Sequence, residues 1–279
     1  MEMKPMMLFK DGKRKALTLS YDDGTIHDRR FVKILNAYGI KCTFNLNSGI
    51  FGVEEKKMSN GVFTDFTRIE ECEVKELYSG HEVASHTLTH PSLTEISTGM
   101  GTNEVLKDRE NLERIVGEKV TGFAYPYGTF NEIVEDMLAN CGIVYARTVR
   151  STEKFDFPQD YLEWDPTCHH ESPRFLEIAE EFLKDESYEA KLFYLWGHSY
   201  EFAQKDSWQM IEDFCKKMKE HEEEIWFATN MEVMEYEKAF RELMVSSDGK
   251  VIHNPTETDL WYKLGNKVCC IAAGQRQQL

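Results

Sequence analysis

Two adjacent aspartates, Asp22 and Asp23, end the apolar run in the stretch LTLSYDDGTIHDRR of residues 17–30. Neighbouring carboxylates repel each other, and a buried position holds them only when a positive charge compensates. The pair is therefore either a solvent-facing turn or part of a cation site. A second candidate pair, His86 and His90, lies in the stretch SHTLTH. Imidazoles and carboxylates are common ligands of zinc and related divalent metals.

The spacing of His86 and His90 places both imidazoles on one face if a helical turn begins there. The pattern alone is common, and Thr87 stands where a zincin has glutamate. One carboxylate from the aspartate pair would complete a His-His-Asp set with open coordination positions. Such a set suits a hydrolytic metal site, and it also matches the triad of a non-haem iron oxygenase. The second aspartate and the α/β pattern described next argue against the oxygenase.

Strand-like and helix-like patterns alternate along the chain and must position these groups. Helical spacing predicts helices over 28–39, 103–116 and 207–220, one that Asn131 caps, and one that Ser172-Pro173 opens. This alternation predicts parallel strands joined by crossover helices, and the number of repeats suits a (β/α) barrel. The seven predicted strands cover residues 15–21, 42–47, 81–86, 120–125, 142–149, 191–198 and 224–230.

The candidate polar residues fall at the carboxyl ends of the predicted strands. In parallel α/β folds these ends meet at one rim, where ligands bind. Residues scattered over about 180 positions are therefore expected to converge on one cleft. Those at strand ends include Asp22, Asp23, His86, His90, Tyr125, Tyr127 and His198.

The stretches SYDDG, SHTLTH, YPYG and LWGHS, in this order within residues 20–199, resemble the motifs of the polysaccharide deacetylase family, the NodB-homology domain. The resemblance implies a distorted (β/α) barrel of about seven parallel strands. It also implies a metal-dependent hydrolase that removes acetyl groups from N- or O-acetylated carbohydrate. The implied cofactor is a divalent metal, zinc first, with cobalt, nickel, manganese or iron as alternatives.

Carried over by position, the resemblance implies that Asp22 is the catalytic base and His198 the general acid. It implies that a backbone N–H at Tyr127 binds the oxyanion, and that Leu195 lines the pocket for the acetyl methyl group. The implied metal ligands are Asp23, His86 and His90. A metal between them would explain why the chain tolerates two adjacent carboxylates.

The chain departs from the family pattern in two motifs. The third motif usually carries an arginine that pairs with the catalytic base, but this chain has Ala124 there. The fourth motif supports the catalytic histidine and is matched only loosely by LEWDPTCHH, in which Trp164 or Asp165 could serve and His169 or His170 could reach the rim. The aromatic residues near the site are either core residues or platforms for a sugar ring, namely Tyr125, Tyr127, Trp164 and Trp196.

Composition excludes some classes of function. A net charge of −16 disfavours nucleic acid and anionic lipid as partners. Seven cysteines without a C-x-x-C motif indicate reduced thiols rather than a disulfide framework. The sequence shows no apolar stretch of membrane-spanning length and no signal-peptide pattern, so we expect a cytoplasmic protein.

We expect two domains, a barrel over 1–244 and a small β-rich appendage over 245–279 with turns at Asp248-Gly249 and Gly265-Asn266. The expected substrate is an acetylated carbohydrate. Two alternatives remain open at this point. One is hydrolysis of a small non-sugar amide, and the other is a carbohydrate-binding relative with weak catalysis.

Overall fold

The computed structural model describes residues 4–59 and 61–279 of the chain. The helices of these ranges are α1 (Asp28–Tyr38), α2 (Val74–Leu77), α3 (Thr98–Val116), α4 (Glu132–Asn140), α5 (Phe175–Lys184), α6 (Ser199–Gln204), α7 (Trp208–Lys219) and α8 (Asn230–Arg241). The strands are β1 (Met6–Leu8), β2 (Lys15–Asp22), β3 (Thr43–Leu46), β4 (Lys56–Ser59), β5 (Val62–Asp65), β6 (Glu82–Ser85), β7 (Gly122–Ala124), β8 (Tyr145–Arg147), β9 (Cys168–His169), β10 (Lys191–His198), β11 (Ile225–Phe227), β12 (Met244–Val245), β13 (Val251–His253), β14 (Leu260–Leu264), β15 (Lys267–Ile271) and β16 (Arg276–Gln278).

A parallel sheet in the order β8-β7-β6-β3-β2-β10-β9 forms the barrel wall, and β11 also pairs with β2. β11 pairs with the first residues of β2, at Ile225 and Lys15, whereas β3 pairs with its last residues, at Ser20 and Thr43. β3 and β11 thus pair with different parts of the same edge of β2, which makes the barrel irregular. The expected fold class, a distorted (β/α) barrel with a small β appendage, is confirmed.

Side chains along β2 alternate between two environments, as the period of a strand requires. Leu17, Leu19 and Tyr21 pack in the main core with the helices. Thr18 lies on the other face and donates a hydrogen bond to Asn230 Oδ1 at 2.8 Å, inside a barrel that holds many polar groups. Asp22, two residues beyond Ser20, continues this inner face and points into the barrel at its carboxyl end.

All seven predicted strands are present, although most are shorter than the apolar runs that indicated them. Asn131 caps α4 as expected, because its side chain accepts the Val134 N–H at 3.0 Å. The expectation that Pro173 begins a helix is wrong, since α5 begins at Phe175. The sequence patterns missed β1, β9, α2, α6, α8 and the hairpin β4–β5. Apart from α8, these elements are too short to show a period.

The appendage forms two small antiparallel sheets, β1-β14-β15 and β12-β13-β16. The predicted Gly265-Asn266 turn joins β14 to β15. β1 comes from the N-terminal part of the chain and completes the first of these sheets. Tyr236 of α8 links this sheet to the barrel. Its hydroxyl donates to Leu8 O at 2.8 Å and accepts the Trp261 N–H at 2.9 Å. The domain boundary at 244/245 stays a prediction.

Across the described ranges, no helix combines the length and the apolar character that crossing a membrane requires.

Candidate active site

Asp22, the last residue of β2, carries a carboxylate that is almost fully buried. Its register partner Asn45 donates a hydrogen bond from Nδ2 to Oδ1 at 2.7 Å. Arg147, the last residue of β8, is fully buried and donates from Nη2 to Oδ2. Burial is the strongest single influence and would raise the pKa of the Asp22 carboxyl, but the positive charge of Arg147, together with His86 and His198, outweighs burial and the pKa is lowered. Asp22 is therefore ionised at neutral pH.

Asp23 has a left-handed backbone with φ 84°, which non-glycine residues seldom adopt. Its Oδ1 lies 3.9 Å from His90 Nε2 and 2.9 Å from Arg68 Nη1. Burial is the strongest single influence and would raise the pKa of this carboxyl, but the Arg68 guanidinium, together with the three neighbouring histidines, outweighs burial and holds the pKa well below its usual range. Asp23 is therefore a second buried anion beside Asp22.

His86 follows β6, and His90 lies in the loop behind it. The helical turn that would place both imidazoles on one face is absent, because residues 86–90 form no helix. Instead, Thr87 and His90 are left-handed, at φ 67° and 64°, and Thr87 Oγ1 accepts the His90 N–H at 3.0 Å. This tight turn brings His90 Nε2 to 3.1 Å from His86 Nε2.

The tautomer of His86 is fixed by its neighbour on β7. Nδ1 lies 2.7 Å from Ala124 O, and only a protonated nitrogen can donate to a carbonyl, so Nε2 holds the free lone pair. Burial lowers the pKa of His86 to about 4 and also lowers that of His90. Both imidazoles are therefore neutral at pH 7, which is the form that binds a metal.

Asp23, His86 and His90 offer ligand atoms within 4.8 Å of one another. Asp23 Oδ1 is buried and accepts no well-directed hydrogen bond from the described residues. Two imidazole nitrogens and one carboxylate oxygen make up a donor set that zinc and similar ions prefer. These three residues therefore fit a divalent metal.

Asp108 of α3 supports the turn that carries His86. Its Oδ1 accepts the Ser48 N–H at 2.7 Å. Its Oδ2 accepts the Ser85 hydroxyl at 2.5 Å and the His86 N–H at 3.3 Å. One buried carboxylate thus fixes the carboxyl ends of β3 and β6 relative to α3.

His198 ends β10 directly opposite Asp22 in the register of β2 and β10. Its Nε2 lies 4.0 Å from Asp22 Oδ2, and its Nδ1 lies 3.3 Å from Glu201 Oε2. Glu201, in the first turn of α6, also accepts the His198 N–H at 2.9 Å. Burial alone would lower the pKa of His198, but Glu201 outweighs it and raises the pKa to about 9. His198 is therefore cationic at neutral pH.

His169 and His170 approach the same Glu201 oxygen, with Nε2 atoms at 3.3 and 3.4 Å. The Glu171 N–H donates to His169 Nδ1 at 3.1 Å, so Nε2 carries the proton of the neutral ring. A protonated nitrogen cannot bind a metal. We therefore interpret His169, His198 and Glu201 as a charge-paired cluster, although their ligand atoms also lie within 4.8 Å of one another.

A cavity of about 800 Å³ opens where these groups meet, at the carboxyl ends of the strands. Asp22, Asp23, His86, His90 and His198 all line it. Its walls are rich in aromatic side chains, namely Phe66, Tyr125, Tyr127, Trp196 and Tyr200. A carboxylate pair, neutral imidazoles and a cationic imidazole thus face one open, aromatic-walled space.

Residues 9–146 match the family model described as polysaccharide deacetylase. This segment contains Asp22, Asp23, His86 and His90, in the order and spacing of the first two motifs. Over these residues, just under half of its length, the chain matches the polysaccharide deacetylase family.

Individual known proteins resemble the chain over different lengths. The uncharacterized protein YlxY of Bacillus subtilis is 26% identical over 140 residues, which cover 49% of this chain and only 39% of that relative. The Xyl-CE4 domain of a multidomain xylanase, from the hindgut metagenome of Trinervitermes trinervoides, is 18% identical with a TM-score of 0.53. That match covers 81% of this chain and 92% of the domain.

A mutant of the peptidoglycan deacetylase PdaC from Bacillus subtilis is 15% identical with a TM-score of 0.53. This match covers 84% of the chain and 96% of that structure. At these low identities, the two structural matches establish the fold alone.

A neighbouring strand supplies the arginine that the third deacetylase motif lacks. Ala124 of β7 is the register partner of Arg147 of β8, so the two residues lie side by side at one level of the sheet. Arg147 supplies the guanidinium that contacts Asp22. It also lies over the ring of Trp196, with its Cζ 4.4 Å from the ring centroid.

Of the four aromatic residues predicted to contact substrate, three line the cavity and Trp164 does not. Tyr127 is largely exposed, left-handed at φ 58°, and its ring centroid lies 4.6 Å from that of His90. Trp196 and Tyr125 also line the cavity, although Tyr125 is otherwise buried and donates its hydroxyl to Leu162 O at 2.9 Å.

Leu195, Trp164 and Asp165 do not line this cavity. Leu195 alternates with Trp196 along β10, so it faces the helices and packs in the main core. Trp164 is 1% exposed and packs in the core between β8 and β10. Asp165 is held by Thr148 and by Arg150, whose Nε lies 2.8 Å away. Substrate contacts from these three residues are therefore not supported by their positions.

The sequence patterns missed three charged residues at the site. Arg147 lies within the predicted strand 142–149, so its position near a strand end was an available signal. Glu201 lies three residues after His198, inside a helix too short to predict. Arg68 follows a hairpin with no recognisable pattern, so no signal indicated it.

Proposed function

We propose that this chain is a metal-dependent hydrolase that removes acetyl groups from N- or O-acetylated carbohydrate. The observation that carries the proposal is the convergence of Asp22, Asp23, His86, His90 and His198 on one cavity. The match to the polysaccharide deacetylase family supports the same chemistry.

Asp23, His86 and His90 would hold the divalent ion, with zinc as the first choice for this donor set. Such an ion supplies a lowered pKa for the attacking water and polarisation of the acetyl carbonyl. The chain supplies the tautomer of His86, fixed by Ala124 O, and the neutral state of both imidazoles.

Asp22 is suited to accept the proton of the attacking water. Its carboxylate faces the cavity and is kept ionised by Arg147, while Asn45 fixes Oδ1. A base that is held by two donors keeps one orientation throughout the reaction.

His198 is suited to donate a proton to the leaving amine or alkoxide. Glu201 keeps it protonated at neutral pH from the side that faces away from Asp22. The ionised base and the protonated acid lie on adjacent strands, 4.0 Å apart, so both are in their required states at pH 7. A backbone N–H at Tyr127 would stabilise the oxyanion, and one such donor typically lowers the barrier by about 3 kcal/mol.

The aromatic walls favour a sugar over a small amide as substrate. Flat rings such as Tyr127 and Trp196 can pack against the apolar face of a sugar ring, and the cavity is wide enough for more than an acetamide. The small non-sugar amide remains the competing substrate.

Acetate release from acetylated oligosaccharides and from small amides tests the proposal, with zinc-loaded protein and its variants. Asp22→Asn should retain zinc and lose turnover, whereas Asp23→Ala should lose both. Amide turnover without acetate release from any saccharide would support the non-sugar alternative. Saccharide binding without turnover by the wild type would identify a carbohydrate-binding relative.

A further inference from the structure

Arg68 lies unusually close to a proposed metal ligand. Its Nη1 is 2.9 Å from Asp23 Oδ1, and the two side chains are only 13% and 12% exposed. The same nitrogen donates its hydrogen bond to the Asp23 carbonyl oxygen, not to Oδ1. The guanidinium therefore acts on the carboxylate mainly through its charge and leaves the ligand oxygen free.

The backbone holds Arg68 in this place. Ile26 N–H donates to Thr67 O at 2.9 Å, and Ile69 N–H donates to Gly24 O at 2.9 Å. These two bonds fasten the Arg68 segment against the turn that follows Asp23. Arg68 N–H also donates to Val53 O at 3.0 Å. The cation is thus a fixed part of the site, unlike a mobile surface arginine.

We infer that Arg68 is a built-in counter-ion of Asp23, which stabilises the metal-free site and weakens its affinity for the metal. The inference rests on the proposed role of Asp23 as a metal ligand. Without a metal, the guanidinium, at 2.9 Å, is the nearest positive charge that balances this largely buried carboxylate. When a divalent ion binds at Oδ1, two positive groups share one carboxylate and repel each other.

If Arg68 instead oriented Asp23 for metal binding, its loss would weaken the metal affinity, which is the opposite of the change expected here. Partners that orient a ligand by hydrogen bonding strengthen metal binding, and their loss typically weakens it 10–100-fold. Because Nη1 bonds the backbone carbonyl instead of Oδ1, the loss of charge repulsion should exceed the loss of orientation. The direction of the change in metal affinity therefore separates the two roles.

The test measures the zinc dissociation constant by competition with a chromophoric chelator, for the wild type, Arg68→Gln and Arg68→Lys. We expect Arg68→Gln to bind zinc at least about tenfold more tightly, and Arg68→Lys to stay near the wild type because it keeps the charge. Arg29→Gln is the matched control, since the exposed Arg29 forms a 2.6 Å ion pair with the half-buried Glu73 and does not line the cavity.

Thermal unfolding supplies a second measurement of the same coupling. Arg68→Gln should lower the Tm of the metal-stripped protein more than that of the zinc-saturated protein, because coupling between two sites is reciprocal. If the variant is unfolded without metal, zinc should restore its circular dichroism.

Unchanged or weaker zinc binding by Arg68→Gln would overturn the inference, as would failure of saturating zinc to refold an unfolded variant. These readouts do not depend on acetate release. A wild type that binds zinc but releases no acetate would contradict the proposed function while leaving the inference intact.

Discussion

Arg147 stands beside Ala124 across β7 and β8, and its guanidinium contacts the carboxylate of Asp22. The positive charge that this family usually draws from the third motif therefore comes here from the next strand of the sheet. Both positions lie at one level of the sheet, so either could bring an arginine to the same carboxylate.

Removing this guanidinium should damage both stability and turnover. Arg147→Ala leaves the Asp22 carboxylate buried without its main partner, which typically costs about 3–5 kcal/mol of unfolding free energy. Urea unfolding measures the loss. Arg150→Ala is the control, because Arg150 is half exposed in its ion pair with Glu163 and should cost no more than about 1 kcal/mol. Equal losses in the two variants would contradict the structural role of Arg147.

Transferring the arginine from position 147 to position 124 should restore acetate release. The double variant Ala124→Arg with Arg147→Ala returns a guanidinium to the position that the family motif uses. We expect it to regain a large part of the acetate release that Arg147→Ala loses, with a kcat closer to the wild type. A double variant no more active than Arg147→Ala would show that the two strand positions are not equivalent.

The charge of His198 should depend on Glu201. In the metal-stripped protein we expect NMR titration to give a pKa of about 9 for His198, and Glu201→Gln to lower it. Gln204→Glu, which alters charge in the same helix away from this contact, serves as a control. A His198 pKa that does not change in Glu201→Gln would contradict the assignment.

The contact between His198 and Glu201 should also make the stability of the fold depend on pH. The pKa of His198 is raised from its model-peptide value of 6.5 to about 9. The folded state thus holds this proton more tightly, and the resulting stability is fully present below pH 6.5 and lost as pH rises through about 9. Tm measured from pH 6 to 10 on metal-stripped protein should show this decline, and Glu201→Gln should flatten it.

Asp108 should control the proposed metal site without contacting it. Asp108→Ala leaves the N–H groups of Ser48 and His86 without their acceptor, and each buried unpaired group costs about 1–3 kcal/mol. The turn that carries His86 should loosen, and zinc affinity should fall about 10–100-fold. Glu110→Ala, on the exposed side of α3, should change neither value. Loss of stability with unchanged zinc affinity would limit Asp108 to a structural role.

Much of the fold followed from local patterns. Apolar periodicity located every long strand and most helices, because burial on one face imposes a period on the sequence. The ends of parallel strands share one rim, so the predicted convergence of Asp22, His86 and His198 needed only correct strand ends. Short elements such as β9 and α6 carry too few residues to show a period.

The sequence by itself determined the barrel, the strand-end placement of the aspartates and histidines, and the family whose motifs they match. Only the tertiary structure decided which charges meet them, since the Arg147–Asp22 contact depends on which strands are neighbours in the sheet. Leu195 faces the helices because of the phase of β10, that is, which of its alternate side chains point into the barrel. The approach of Arg68 to Asp23 depends on the path of a loop. Pairing, phase and loop path are long-range properties, and no local pattern encodes them.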